Sequence, residues 1–378
     1  MALLLLIFTS LLLVLYFDTA NIGSVSVVST QESISDVVPE IIVDNLQVPW
    51  GVAFLPNGEL LITERVSYPS NFYTEGKLVL IKKNLEREEI QIPHSTNTGD
   101  IFGLRDILLH PHFDDNKYIY LYITISSNKK NTAKVMRFTY NDGQLKNPYT
   151  VIDNIPGGPF QDGGRMTFGP DSMLYITSGD GADMLQAQDT STLAGKILRL
   201  RDDGSIPEDN PFKNAVYTYG HRNPQGIVWD DSGNVWSSEH GPKEGEDEIN
   251  LIFKGGNYGW PDSRGDTVMP GTIPPMLHSG NNSANTWAPG SLAYVEGYFL
   301  WGGLRSEAIY AGKQTKNGFI IQAQIFKNVY GRIRTVVLGP DDYVYFTTSN
   351  MDRRTDIRPN DDKLYRIHKD ALLSLIQQ

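Results

Sequence analysis

Four arginines in turn-rich segments of the sequence could hold one anionic ligand together. Arg222 is followed by Asn223 in YGHRNPQG, Arg305 ends the run GGLR, and Arg332 and Arg334 lie in YGRIR. Residues two apart on a strand point to the same face, which applies to Arg332 and Arg334. A guanidinium binds a carboxylate through two parallel hydrogen bonds, so converging arginines would suit a ligand with several carboxylates. The alternative is that each arginine pairs with a nearby surface Asp or Glu.

A second set of candidate ligands lies in SEHGPKEGEDEINLIFKGGNYGWP. Gly241 and Pro242 suit a turn with exposed carbonyls, and Glu246, Asp247 and Glu248 place three carboxylates in succession. Oxygen ligands without cysteine favour a hard cation, and calcium tolerates more varied geometry than magnesium. The spacing differs from that of an EF-hand loop, and a solvated acidic loop is the alternative.

The histidines divide into two groups by position. His110 and His112, in LLHPHF at the end of a predicted strand, favour a structural role over metal binding. His221 and His240 lie inside the two loop motifs described above, where a functional and a structural role remain equally open.

Composition excludes several classes of function. The 378 residues include 33 Lys and Arg against 44 Asp and Glu, a net charge of -11. This balance argues against nucleic acid or an anionic membrane as the main partner. The chain has no cysteine, which excludes disulfides, thiolate catalysis, cysteine-ligated zinc and iron–sulfur clusters.

The first residues predict export. An apolar run from Ala2 to Phe17 is followed by Asp18 and a polar, Ser-rich stretch that ends at Pro39. The length suits a secretory signal and is marginal for a membrane span. We therefore expect a signal peptide or N-terminal membrane anchor in residues 1–20, a polar linker in 21–39, and membrane contact through this segment alone. A buried helix is the alternative.

Beyond Glu40 the chain repeats one pattern, an apolar strand, a turn and a second strand of alternating apolar and small polar residues. Equivalent second-strand positions recur at spacings of 59, 55, 61, 64 and 45 residues: Leu60, Ile119, Leu174, Val235, Phe299 and Val344. These spacings match blades of a β-propeller with inserted loops. We therefore predict an all-β, six-bladed β-propeller with four-stranded antiparallel blades over residues 40–369, followed by a tail at 370–378. A strand near Glu40 to Leu46 should pair with the C-terminal LYRI strand and close the ring.

Six further motifs follow one another in the sequence: VPWGVAFLPNGELLITER, IPGGPFQDGGRMTFGPDSMLYITSGD, AGKILRLRDDGSIPEDNPF, GHRNPQGIVWD, SEHGP with DEINLIFKGGNYGWP, and GRIRTVVLGPDD. In matching order, from about Leu46 to Ile367, they resemble the soluble quinoprotein glucose dehydrogenase family, also called glucose/sorbosone or aldose sugar dehydrogenases. The resemblance implies the same six-bladed fold.

The resemblance also implies pyrroloquinoline quinone, a tricarboxylate, as cofactor. Five residues match positions that hold its carboxylates and carbonyls: Arg222, Asn223, Arg305, Arg332 and Arg334. Gly241 and Pro242 match carbonyls that hold a calcium ion, which polarises the quinone as a Lewis acid. Glu248 and Tyr258 resemble a second calcium site of some members, and Asp180 matches an acid that orients the catalytic base.

One position departs from the family pattern at the base itself. The family stretch reads like PGGPxHNGGR and its His accepts the proton from the sugar hydroxyl, whereas PGGPFQDGGR has Gln161 there. An amide cannot hold a proton near neutral pH, and loss of a general base typically costs about 10²–10⁴-fold in rate. Ile101 also differs, since many members have Gln or Glu at the matching position. Asp162, or Asp180 or His240, are alternative bases.

Three functional hypotheses follow from these residues. The first is an exported dehydrogenase dependent on calcium and pyrroloquinoline quinone, which oxidises an aldose or related alcohol and passes electrons to an external acceptor. The second is a catalytically weakened or non-catalytic extracellular propeller that binds carbohydrate or protein, as Gln161 suggests. The third is a calcium-dependent lactonase on a similar scaffold.

Overall fold

Six four-stranded antiparallel sheets make up the described part of the chain. The computed structural model describes residues 37–65, 76–93, 100–127, 130–158, 160–352 and 354–378, and gives the backbone alone for residues 100–102, 126, 127 and 130. The predicted signal or anchor and most of the predicted linker lie outside these residues. Within the described ranges, no helix is both long and apolar enough to cross a membrane.

The strands follow the chain blade by blade, with the innermost strand first. Blade 1 comprises β2 (Pro49–Phe54), β3 (Leu60–Glu64), β4 (Lys77–Ile81) and β5 (Arg87–Ile90). Blade 2 comprises β6 (Asp100–Leu109), β7 (Tyr118–Ser127), β8 (Lys130–Asn141) and β9 (Gln144–Pro156). Blade 3 comprises β10 (Met166–Phe168), β11 (Leu174–Ser178), β12 (Lys196–Leu200) and β13 (Val216–Tyr219). Blade 4 comprises β14 (Pro224–Trp229), β15 (Val235–Glu239), β16 (Glu248–Ile252) and β17 (Leu277–His278). Blade 5 comprises β18 (Ala293–Val295), β19 (Tyr298–Gly303), β20 (Ala308–Thr315) and β21 (Gly318–Ile325). Blade 6 comprises β22 (Ile333–Leu338), β23 (Tyr343–Thr348), β24 (Leu364–His368) and β1 (Glu40–Val43). Helix α1 (Phe113–Asn116) lies between β6 and β7, and α2 (Lys369–Ile376) follows β24.

The predicted repeat is confirmed strand by strand. All six equivalent positions lie on the second strand of a blade and are less than a tenth exposed: Leu60, Ile119, Leu174, Val235, Phe299 and Val344. The inner strands contact one another in order around a ring, from β2 through β6, β10, β14 and β18 to β22 and back to β2. Apolar side chains between neighbouring blades form the core, as expected for packed sheets.

The predicted closure of the ring is also confirmed. β1 pairs with β24 in antiparallel register, with Ile41 opposite Tyr365 and Glu40 opposite Arg366. Thus the first strand of the propeller completes the last blade, which removes two free sheet edges. The C-terminal residues form α2, whose Leu372 is buried in the cluster shared by blades 5 and 6.

Arg165 directly precedes β10 of blade 3. It lies in the centre of the ring and contacts all five of the remaining blades. The residue is 8% exposed, and its guanidinium carbon is 4.0 Å from the centre of an indole ring. Four further contacts are hydrogen bonds of 2.9 to 3.3 Å. The partners, from blades 1, 2, 4, 5 and 6, are the Trp50 ring, the Asp106 carboxylate, the Gln225 and Gly290 carbonyls and the Thr335 hydroxyl.

Hydroxyl groups on second strands accept hydrogen bonds from the backbone at the start of inner strands. The Thr63 hydroxyl accepts a hydrogen bond from the Gly51 backbone N–H at 2.8 Å, and the Thr177 hydroxyl accepts one from the Arg165 N–H at 2.9 Å. Register shifts interrupt the inner ladder of blades 1, 2, 4 and 6. Such bulges re-aim backbone and side chains near functional ends of sheets. The segments entering the inner strands can therefore turn towards the axis.

We predict that Arg165→Met destabilises the fold by about 3–5 kcal/mol, because it leaves the Asp106 carboxylate buried without its charged partner. Urea unfolding followed by tryptophan fluorescence would give the free energy of unfolding of each variant. Arg201→Met is the matched control, since the Arg201 guanidinium donates to the Ile206 carbonyl at an exposed site. Equal stability losses in the two variants would contradict the central role of Arg165.

Candidate active site

The loops at one end of the axis bring together three of the predicted site residues. Gln161 precedes β10, Asp180 follows β11 and Arg222 precedes β14. Backbone hydrogen bonds fasten these loops, from the Gly181 N–H to the Gln161 carbonyl at 3.0 Å and from the Asp180 N–H to the Arg222 carbonyl at 2.9 Å. The site is therefore built where blades 3 and 4 meet.

The side-chain amide of Gln161 bridges the Asp180 carboxylate and the Arg222 guanidinium. In the amide orientation that satisfies both neighbours, the amide nitrogen donates to Asp180 Oδ1 at 2.5 Å and the amide oxygen accepts a hydrogen bond from Arg222 Nη2. Asp180 also accepts hydrogen bonds from the Ala182 N–H at 2.9 Å and from Trp260 Nε1 at 2.8 Å. Burial raises the pKa of Asp180 above its ordinary value, while these donors and Arg222 oppose the shift. Asp180 is thus a buried carboxylate that accepts hydrogen bonds from three donors.

The position of Gln161 depends on a glycine opposite it. Gln161 itself has φ of +65°, in the left-handed region that few non-glycine residues adopt. A Cβ atom added to Gly179 would lie 1.8 Å from the Gln161 carbonyl oxygen. Only glycine at 179 lets the two loops approach closely enough for Gln161 to reach Asp180.

Arg222 connects Gln161 with the predicted calcium-binding turn. Its Nη1 donates to the Gly241 carbonyl at 2.6 Å and to the His240 carbonyl at 3.2 Å, and its guanidinium lies 5.2 Å from the Trp260 ring centre. Its Nε is buried and has no hydrogen-bond partner among the described residues. Burial lowers the pKa of Arg222 from its ordinary value. An unpaired buried N–H is costly and is an expected contact point for a ligand.

Glu239 at the end of β15 holds the backbone beneath Arg222. Its Oε1 accepts hydrogen bonds from the Arg222 N–H and, at 3.2 Å, from the Asn223 N–H, and its Oε2 is 2.9 Å from His221 Nδ1. The Asn223 side-chain oxygen accepts a hydrogen bond from the Gly163 N–H at 3.0 Å. His221 therefore has a structural role. Glu239 was not predicted from the sequence as a site residue, although its position directly before His240 in the SEHGP motif pointed to the site.

Arg332 and Arg334 both face one carboxylate, that of Asp352. Arg332 donates to Asp352 through Nη2 at 2.8 Å and Nε at 3.1 Å, and Arg334 Nη2 is 3.9 Å from the same oxygen. Both arginines are less than a tenth exposed. Burial holds the pKa of Arg334 well below its ordinary value, and the positive charges of Arg65, Arg332 and Arg105 add to this effect. These guanidinium groups carry more positive charge than Asp352 neutralises.

Arg305 lies apart from the other predicted arginines, on the rim of the site. Its side chain is exposed, and its Nη1 donates to the Lys243 carbonyl at 3.1 Å. Lys243 follows Pro242, so Arg305 is fixed to the turn that carries the predicted calcium ligands.

His240 has a buried ring nitrogen, Nε2, with no hydrogen-bond partner among the described residues. Burial, with the nearby positive charges of Arg222 and Arg334, lowers the pKa of His240 to about 3. The imidazole is therefore neutral at physiological pH and lies among the arginines from blades 4 and 6.

The acidic run after the turn has three different roles rather than one. Asp247 is structural, because it accepts hydrogen bonds from Gly241 N–H at 2.9 Å and from the hydroxyl and backbone of the 286–288 segment. Glu246 forms an ion pair with Arg264 at 2.9 Å. Glu248 is buried, and burial followed by the neighbouring Glu239 raises its pKa. Among the described residues no three His, Asp or Glu side chains are grouped closely enough to hold a metal ion.

A small cavity lies between the turn and β16. Its lining includes the predicted ligands Gly241, Pro242, Glu248 and Tyr258 together with Glu239. The Tyr258 hydroxyl donates to the Leu251 carbonyl at 2.7 Å and accepts from the Phe253 N–H at 2.9 Å. Its hydroxyl is thus occupied, which leaves the Tyr258 carbonyl as the group that could face a cation.

Other predicted candidates have settled positions. Asp162 is 5% exposed and forms a buried ion pair with Arg105, and its Oδ1 accepts a hydrogen bond from the Gly158 N–H at 2.8 Å. It therefore anchors the loop and does not point towards a substrate as a free base. His110 Nδ1 accepts a hydrogen bond from the His112 N–H at 2.9 Å, in agreement with a structural role for both. The side chain of Ile101 lies outside the described residues.

Comparisons with known proteins agree on one family. The sequence model described as Glucose / Sorbosone dehydrogenase matches residues 46–358. The chain is 31% identical over 345 residues to the aldose sugar dehydrogenase YliI of Escherichia coli, covering 82% of this chain and 89% of that protein. It is 36% identical over 261 residues to quinoprotein glucose dehydrogenase B of Acinetobacter calcoaceticus, covering 60% of this chain and 52% of that protein. The PQQ-bound structure of aldose sugar dehydrogenase from Streptomyces coelicolor superposes with a TM-score of 0.75 at 32% identity, covering 88% of this chain and 97% of the other.

We predict that Gln161→Leu lowers the free energy of unfolding by about 1–3 kcal/mol, because Asp180 and Arg222 each lose a buried partner. Chemical unfolding would measure the change, with Gln314→Leu on the exposed side of β20 as the control. If both variants unfolded at the same urea concentration, the bridge through Gln161 would contribute nothing to the fold.

Proposed function

Because this chain belongs to the glucose/sorbosone dehydrogenase family, we propose that it oxidises an aldose sugar or related alcohol with pyrroloquinoline quinone and calcium, passing the electrons to an external acceptor. The family resemblance drawn from the sequence motifs is confirmed by the match over residues 46–358. The observation that carries the proposal is the convergence of Arg222, Arg332 and Arg334 around the neutral His240, in a chain whose net charge is -11.

The donor set fits a polycarboxylate cofactor. Arg332 and Arg334 share the single carboxylate of Asp352, and Arg222 has a buried Nε without a partner in the described residues. Carboxylates of the quinone would supply the missing negative charge and hydrogen-bond acceptors. We propose that these arginines, with Asn223 and the rim residue Arg305, hold the quinone.

The carbonyl turn fits calcium. The Gly241 carbonyl accepts from Arg222 at 2.6 Å and the Pro242 carbonyl accepts from the Gly245 N–H at 3.1 Å. A carbonyl oxygen has two lone pairs, so each keeps one for a cation. We propose calcium at this turn, where it would polarise the quinone as a Lewis acid. Glu248 and the Tyr258 carbonyl are proposed for a second calcium ion, which would stabilise the buried Glu248 carboxylate.

The residues of the substrate side would orient an alcohol more readily than deprotonate it. Gln161 is fixed between Asp180 and Arg222 and, as an amide, hydrogen-bonds a hydroxyl without taking its proton. Asp162 is paired with Arg105, so it is not available as a base. Asp180 remains the carboxylate nearest Gln161, and burial moves its pKa towards the range useful for proton transfer.

A second candidate function is an extracellular propeller that binds carbohydrate or protein with weak or no catalysis. The observation in its favour is again Gln161, which completes the hydrogen-bond network of the site without a titratable group. Reduction of an electron-accepting dye by the reconstituted protein with any of a panel of aldoses would exclude it.

We also propose that the protein is exported. Residues 1–20 would form the signal peptide or membrane anchor and 21–39 a linker to the propeller at 40–369, with the tail at 370–378. The motivation is the apolar run of the first residues in the sequence.

The cofactor proposal predicts that metal-depleted protein binds pyrroloquinoline quinone saturably in the presence of calcium. Quenching of tryptophan fluorescence would follow the titration, because the Trp260 ring lies beside Arg222. Arg334→Gln should weaken quinone binding by at least about tenfold, since a buried charged partner is lost. Arg201→Gln, at an exposed site, serves as control. Absence of saturable binding to the wild-type protein would refute the cofactor proposal, whatever the activity towards sugars.

The chemical proposal predicts that Gln161→His raises the rate of aldose oxidation by roughly 10²–10⁴-fold after reconstitution, because a general base is restored in an assembled site. Steady-state dye reduction, compared with wild type at equal quinone occupancy, measures this gain. Activity absent from both proteins at full occupancy would favour the binding propeller instead.

A further inference from the structure

The mouth of the axis contains more arginines than the proposed quinone site uses. Arg65 follows β3, Arg105 lies within β6, and Arg354 lies between β23 and β24. Burial lowers the pKa of Arg65 to about 10, with the positive charges of Arg105 and Arg354 acting in the same direction. The guanidinium groups of Arg105 and Arg354 are therefore close enough to that of Arg65 to repel it.

Few described carboxylates balance this charge. Arg65, Arg334 and the charged groups that act most strongly on them comprise five arginines and two carboxylates, so positive charge is in excess. The arginines are Arg65, Arg105, Arg332, Arg334 and Arg354, and the carboxylates are Asp162 and Asp352. Asp162 is paired with Arg105, and Asp352 with Arg332.

Besides the excess charge, two buried hydrogen-bond donors indicate a ligand. The Nε atoms of Arg65 and Arg105 are buried and have no hydrogen-bond partner among the described residues. A buried N–H without an acceptor costs about 1–3 kcal/mol. Two such atoms on neighbouring arginines are best explained by an anionic group that binds here.

The quinone with its calcium does not balance this charge. A tricarboxylate carries three negative charges and calcium two positive ones, so together they bring one net negative charge to this group of arginines. Positive charge therefore remains after loading. It reaches the side of Gln161, because the Arg354 guanidinium lies over the ring of Phe160, the preceding residue.

The substrate side of the mouth also has an exposed aromatic ring. Phe160, adjacent to Gln161, is 58% exposed, and the Arg354 guanidinium lies 5.7 Å from the centre of its ring. An aromatic face suits the C–H face of a sugar ring, and the adjacent cation suits a negative group on the same molecule.

We infer that the substrate is an anionic sugar, carrying a carboxylate or a phosphate, whose charge is bound by Arg354 and Arg65 beside Phe160. This inference rests on the proposed function. Oxidation would transfer a hydride from the carbinol carbon to the bound quinone and the hydroxyl proton to the Asp180 carboxylate, leaving a carbonyl, while the anionic group stays unchanged. The acidic surface of the protein makes binding dependent on this local cluster.

The test compares glucose, glucuronate and glucose 6-phosphate as substrates of the reconstituted holoenzyme. We expect KM for at least one anionic sugar to be about tenfold lower than for glucose, with the difference shrinking as salt screens the charges. Which anionic sugar binds better tells carboxylate from phosphate. Equal or lower KM for glucose at low salt would overturn the inference.

Variants at Arg354 separate charge from structure, because this exposed side chain can be changed without disturbing the core. Arg354→Gln should raise KM for the anionic sugar about two- to fivefold and leave KM for glucose unchanged, whereas Arg354→Lys should retain most of the affinity. Arg201→Gln should change neither value. A similar change for both sugars in Arg354→Gln would contradict a role in charge recognition.

Equilibrium dialysis with labelled glucuronate, glucose 6-phosphate and glucose distinguishes this inference from the proposed function. Preferential binding of an anionic sugar, weakened by Arg354→Gln, would support the inference even if quinone did not bind. Saturable quinone binding with no preference for either anionic sugar would leave the cofactor proposal intact and refute the inference.

Discussion

One buried guanidinium fixes the geometry on which the rest of the site depends. Arg165 lies where the six inner strands converge, and its hydrogen bonds and ring contact reach the five other blades. A charged group in this position is tolerated only when all its donors find partners, so the inner strands must keep their relative positions. Because Arg165 follows Gly163 and Gly164, the same constraint fixes the loop that carries Gln161.

A chain of hydrogen bonds above Arg165 holds the site together with an amide at position 161. The position of Gln161 has a carboxylate on one side and a guanidinium on the other, so its occupant must both donate and accept a hydrogen bond. A neutral amide does both, as a neutral imidazole does, but it cannot exchange a proton near neutral pH. Gln161 thus preserves the hydrogen bonds of the pocket, but its side chain has no group that can hold a proton near neutral pH.

The sequence predicted those features that repeat or that follow local chemistry. The second-strand positions such as Leu174 and Val344, and the pairing of β1 with β24, were predictable because strand periodicity and edge protection act on neighbouring residues. The approach of Arg332 and Arg334 to a common partner followed from their spacing of two. That the partner is Asp352 could not be predicted, since periodicity indicates a face but not what lies opposite it.

Long-range contacts account for what the sequence did not reveal. Arg165 bonds to residues up to 170 positions away, and Trp260 reaches Asp180 across 80 positions. Asp247 was one of three similar acids in a row, and only the fold shows that it holds the 286–288 segment while its neighbours face elsewhere. Arg305 matched the family motif, yet the structure places it on the rim.

The unbalanced charge of the pocket links its stability to its ligand. Arg65 and Arg334 lie among other arginines, and burial together with these positive charges lowers the pKa of both, so their charged forms are disfavoured there. An anion that binds the folded protein but not the unfolded chain would remove this repulsion. It would stabilise the fold more strongly at higher concentration and higher affinity. The free energy lost by clustering these arginines is therefore recovered on binding. A propeller with a purely structural axis would have no reason to retain such a cluster, so the charge itself argues for an anionic ligand.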